Sequence, residues 1–154
     1  MRPIEELGMY ILSFKDEALK KIVEVNKEVG EMLRENIQAE APIDTGSYRD
    51  SILCGPTEVE GSKVSTEVYT SQTLGERGST NPRWVNVPLG ALLEWGTGPE
   101  GASTGEAEEY GFSYRMDWHG MVARPHFKPN LYRIKPVYKK KLREAVGLAW
   151  KKRG

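Results

Sequence analysis

The side chains best suited to chemistry are few and lie in the second half of the chain. "DWH" places Asp117 two residues before His119, His126 follows shortly after, and Glu94 is the nearest upstream acid in an apolar setting. Two imidazoles and two carboxylates are the donor set of a small metal-dependent hydrolase. The spacing argues against it. Zinc sites favour helical or knuckle spacing with thiolates or several imidazoles, whereas these histidines sit in a glycine-rich stretch and beside Pro125. The expectation is therefore a loop histidine, a packed histidine and no metal. Cys54 is the only cysteine. It has no histidine near it in sequence to draw off its proton, and it reads as a small apolar residue. "GTGPEGASTG" has the glycines of a phosphate-binding loop but not the Lys-Ser/Thr that ends one, and no dinucleotide-type glycine spacing opens a helix. Neither a nucleotide nor any other cofactor is expected.

Charge offers a different chemistry. The 154 residues carry 22 basic and 22 acidic side chains, but the signs are segregated. Residues 1–132 hold the acidic excess, and "YRIKPVYKKKLREAVGLAWKKRG" at the end holds the basic one. Lys139, Lys140 and Lys151 are candidate partner contacts. They could neutralise phosphates, which would make the chain a nucleic-acid-binding module without sequence preference. They could equally attract the acidic part of a neighbouring copy.

The elements that would carry these groups follow from hydrophobic spacing. Leu19, Ile22, Val25, Val29, Leu33 and Ile37 recur at steps of three and four, which is one stripe of a long helix. Ser13 is the expected N-cap. Ala41, before Pro42, is the expected end. "GMYIL" within residues 1–13 reads as a short strand, with two extra helical turns as the alternative. After Asp44-Thr45-Gly46, a turn in which glycine can take a positive φ, residues 51–70 read as a hairpin with its turn at "EGS". Residues 71–88 and 97–122 read as mobile loops. "VPLGALLEWGTG" between them reads as a strand broken by Gly96 and Gly98, with Trp95 burying apolar area. Glu94 should face water or meet Arg124, which can pair a carboxylate bidentately. Pro136 is expected at the first position of the last helix, whose stripe is Tyr138, Leu142, Ala145, Val146 and Ala149. Pro125 and Pro129 stiffen the approach to it and fix the angle of Phe127.

The sum is one α+β domain over residues 1–154, with a long N-terminal helix and a C-terminal helix packed on a small antiparallel sheet. No apolar run reaches the ~18–20 residues of a membrane span. The acidic N-terminus is unlike a signal peptide, so a cytoplasmic product is expected.

Three stretches in this order, "APIDTGSYRDSI" at 41–52, "ALLEWGTG" at 91–98 and "ARPHFKPNL" at 123–131, resemble the gene-ten-product-like family of HK-type tailed bacteriophages. These are small head–tail joining or tail-completion proteins. The resemblance runs from the first helix to the start of the last. It marks Pro42, Asp44, Thr45, Gly46, Glu94, Trp95, Gly96, Arg124, Pro125 and Phe127 as structural motif positions. His126, standing between Pro125 and Phe127, departs from the pattern. What the resemblance implies is a non-enzymatic virion protein of a phage or prophage, assembled in the host cytoplasm. Its partners would be copies of itself in a ring and other neck or tail proteins, with DNA passing through the channel as a further contact.

Overall fold

A computed structural model describes residues 3–43, 46–76, 78, 80, 82, 85–96 and 122–151. Asp44, Thr45, Asp117, His119 and nearly all of the stretch expected as a second loop lie outside these residues. The fold is α+β. In chain order it consists of helix α1 (Pro3–Glu40), a one-turn helix α2 (Ser47–Asp50), four short strands β1 (Ile52–Cys54), β2 (Glu58–Glu60), β3 (Lys63–Ser65) and β4 (Val68–Thr70), helix α3 (Leu89–Trp95), and helix α4 (Phe127–Lys151). These elements form two compact units. One comprises Met1–Leu33, Cys54–Val68 and Arg133–Gly154; the other comprises Arg34–Leu53 and Tyr69–Tyr132.

In the first unit, α1 and α4 bury their stripes against each other. Val25, Val29, Ile134 and Ala145 form the centre, with Met32, Leu33, Tyr138 and Leu142 around it. Val146, expected in the stripe, points outward. One polar pair is built into this apolar seam: the Tyr138 hydroxyl donates to Oδ1 of the buried Asn26. At Gly30 the helix comes so close to the β region that an added Cβ would lie 2.8 Å from Thr66 Cγ2 and 2.9 Å from Cys54 Sγ.

The sheet is two nested pairs. β2 and β3 form an antiparallel hairpin in the register Glu58↔Ser65, Val59↔Val64 and Glu60↔Lys63. Its turn is the predicted one, with Gly61 at φ 60°. β1 pairs with β4. The alternating run from Lys63 to Thr70 is thus two strands, interrupted at Thr66 and Glu67.

Three expectations are corrected. Residues 3–13 are helical, and Ser13 lies inside α1 rather than capping it. The steps Leu7, Ile11, Phe14, Ala18 continue the helical spacing, and the Phe14 ring meets Trp150 of α4 edge-on at 5.2 Å. Leu89–Trp95 is a helix, not a strand. Ala, Leu and Glu are strong helix formers, and here they outweigh the apolar run that looked strand-like. Finally, α4 begins at Phe127 and carries Pro136 in its interior. Pro136 is exposed, so the break it makes in the helix ladder lies on the solvent side rather than in the core.

The Asn26–Tyr138 pair gives a stability test. Tyr138→Phe should cost about 1–3 kcal/mol, because the buried Asn26 amide loses its partner. Adding Asn26→Leu should recover part of that loss in urea unfolding.

Candidate functional site

The motif residues lie in the second unit. α1 ends at Glu40, where Ala41 N–H closes the last turn on Ile37 O at 2.8 Å ahead of Pro42. The chain is then held by Gln38. Its Nε2 donates to Arg49 O at 3.2 Å and to Ile52 O at 3.0 Å, while Arg34 Nη1 fixes its Oε1 at 3.0 Å. Gly46 has φ 83°, a left-handed conformation that glycine adopts without a Cβ penalty. It leads directly into α2, so Tyr48 is turned inward and buried.

The Tyr48 hydroxyl lies 2.7 Å from His126 Nε2. His126 Nδ1 lies 2.8 Å from Arg124 O. A carbonyl can only accept, so Nδ1 carries the proton and Nε2 accepts from the tyrosine. Burial first, and the nearby Glu94 carboxylate second, push the Tyr48 phenol well above its ordinary pKa of 10.0. It stays a donor throughout the physiological range.

Glu94 is the organiser. Gly90, four residues earlier on α3, is where an added Cβ would stand 2.8 Å from Thr70 Cγ2 and 3.1 Å from the Tyr48 hydroxyl. That absent side chain lets α3 seat beside Tyr48. Gly96, at φ 75°, closes α3 by donating to Leu92 O at 2.8 Å. The returning chain is caught when Arg124 N–H donates to Leu93 O at 2.7 Å. Glu94 then points at the start of α4. Its Oε2 accepts from His126 N at 2.8 Å and Phe127 N at 3.0 Å, and its Oε1 accepts from Lys128 N at 2.9 Å. The fourth N-terminal position is Pro129, which has no amide. Every orphan donor of this helix end is accounted for by one carboxylate. Its negative charge also sits at the positive pole of the helix dipole. Asn130 finishes the corner, with Nδ2 donating to His126 O at 2.7 Å and to Glu40 Oε2 at 3.0 Å.

Sequence reasoning expected Glu94 to face water or pair with the Arg124 guanidinium. It is instead buried, and Arg124 takes part through its backbone while its side chain is exposed. Trp95 and Phe127 are half-buried and Pro125 is exposed. His126, the departure from the motif, is fully buried at the centre. The signal that could have found the cap was an acid preceding a histidine–aromatic–basic–proline run at a helix start, but nothing local says that the acid comes from another element.

The arrangement holds shape. His126 Nδ1 does approach Glu94 Oε2 at 3.4 Å, but both carboxylate oxygens and both ring nitrogens are engaged with other groups of the chain. Among the described residues, no group of three or more His, Cys, Asp or Glu side chains is placed to hold a metal ion. Cys54 is half-buried, with its thiol 3.6 Å from Gly55 O. Lys139, Lys140 and Lys151 are exposed on α4.

Two measurements check this reading. Glu94→Ala should destabilise the fold by about 3 kcal/mol or more, since three charge-assisted bonds vanish and buried amides are left open. Glu94→Gln keeps one carbonyl acceptor and should cost less. Because the folded-state pKa of Tyr48 is raised, its contribution to stability is fully present below pH 10 and falls as pH rises further. In a tyrosinate absorbance titration, the difference between the native protein and Tyr48→Phe should therefore appear only above the ordinary tyrosine range.

No curated protein and no solved structure shows a match to the chain. A family model does, over residues 5–86, under the description "Bacteriophage HK97-gp10, putative tail-component". That stretch contains most of α1, residues 42–46, α2 and the four strands of the described residues. The second and third motifs lie beyond it and join Tyr48 of the first in one buried cluster. More than half of the chain is matched, and the protein belongs to this family of bacteriophage tail components.

Proposed function

We propose that this chain is a joining or completing component of the neck or tail end of a phage or prophage particle, working by assembly with copies of itself in a ring and with adjoining tail proteins. Family membership supports a structural role in the phage. The observation that carries the finer reading is the use made of the motif residues: Tyr48, Glu94 and His126 saturate one another and the start of α4. They leave a fixed angle between backbone elements, with the Tyr48 hydroxyl, both Glu94 oxygens and both His126 ring nitrogens each bonded within the chain. A protein that must present its surfaces at set angles to neighbours needs this kind of interior. A ring needs two unlike surfaces on each copy, because head-to-tail contacts are heterologous. The acidic and basic parts of this chain supply them.

The test is genetic and structural. Particles assembled without this chain should accumulate as separate heads and tails, or as tails of unregulated end structure, when viewed by electron microscopy. Supplying the chain in trans should restore joined virions that contain it. Normal, infectious particles lacking it would overturn the reading.

A further inference from the structure

Within the first unit, α4 is sparsely covered. From Arg133 to Lys151 only Ile134, Ala145 and Ala149 are buried, with Tyr138, Lys141 and Leu142 half-buried. At 100° per residue, Lys139, Lys140 and Arg143 fall on the side away from that stripe. All three are exposed and make no ion pair among the described residues. Large apolar residues are exposed on the same helix: Val146, Leu148 at 58% and, on the side of its ring not met by Phe14, Trp150. Phosphates would suit the cations but not these apolar neighbours. Cations mixed with exposed aliphatic and indole surface fit a protein partner better.

The sign of that partner is set by the charges. The basic excess of residues 133–154 equals the acidic excess of residues 1–132, since the whole chain is formally neutral. A polyanion approaching the basic end would be opposed by the acidic remainder, whereas another copy brings the matching acids with it. The chain already shows the pairing once. Lys141 Nζ of α4 meets Glu28 Oε1 of α1 at 2.7 Å. Glu24 and Glu31, on adjoining turns of α1, are exposed, and Glu24 also lies 3.6 Å from Lys21 of its own helix.

We propose that the outward face of α4, centred on Lys139, Lys140 and Arg143 with Val146 beside them, docks onto the acidic side of α1 at Glu24 and Glu31 of a second copy. The inference rests on the assembly reading above and names its surfaces. Each copy then offers one donor face and one acceptor face. The contact propagates head to tail and can close into a ring.

Complementary charge reversal tests it. The two variants are Lys139→Glu/Lys140→Glu/Arg143→Glu and Glu24→Lys/Glu31→Lys, both in the full chain and both checked for native circular dichroism. Sedimentation at low salt should show self-association of the native chain, with its dissociation constant rising about tenfold or more at high salt, where exposed charges are screened. Each variant alone should be monomeric. Their equimolar mixture should associate again, because both contacts become complementary. Variants that associate like the native chain, or a mixture that stays monomeric, would overturn these surfaces while leaving assembly itself intact. A native chain that never self-associates but binds duplex DNA, and loses that binding in the α4 variant, would overturn the proposal in favour of a nucleic-acid contact. Failure of the assembly reading shows separately, as normal virions without the chain.

Discussion

A helix cannot begin inside a protein unless its first amides find acceptors, and the geometry of the second unit is organised around that requirement at α4. Glu94 meets it from a different element. A cap supplied by the residue just before a helix stabilises the helix but says nothing about where the helix lies. A cap supplied from α3, more than thirty residues away in sequence, does both. It ties the start of α4 to the end of α3 through three hydrogen bonds from backbone amides. The carboxylate tolerates burial because it is bonded at both oxygens and faces a helix dipole.

Around that cap, the remaining polar groups lock the same corner. His126 is oriented by Arg124 O on one side and Tyr48 on the other. Tyr48 is brought there by the left-handed Gly46 and the single turn of α2. Gln38 connects the last turn of α1 to one carbonyl within α2 and one just beyond it. A buried network that is fully satisfied specifies one arrangement, and one left partly open is costly. This cluster is of the first kind. Its mutual hydrogen bonding makes it a good bracket, in keeping with a phage structural role.

Much of this was legible from the chain. The α1 stripe, its stop before Pro42, the need for Gly46 and the Gly61 hairpin turn all follow from local rules, and all are present. What escaped was set by partners distant in sequence. Leu89–Trp95 is short and apolar, so periodicity could not separate helix from strand. Pro136 is a plausible first residue of a helix. Only the cap from Glu94 moves the start back to Phe127, leaving the proline inside. The first turns of α1 looked strand-like because Gly8 and a run of large apolar residues hide the helical spacing, and Met9, Ile11 and Leu12 remain exposed there. His126 looked like an intrusion into a motif, and its partner was 78 residues away.

Pro129 has a consequence of its own. Glu94 accepts three amides, two at Oε2 and one at Oε1. By contributing no N–H at the third helical position, the imino acid keeps the donors at this helix mouth to those three. Position 129 thus acts through a hydrogen that is not there. Any other residue would add a fourth amide, which would have to share the same carboxylate, and its effect would be felt at Glu94 as much as at the substituted site.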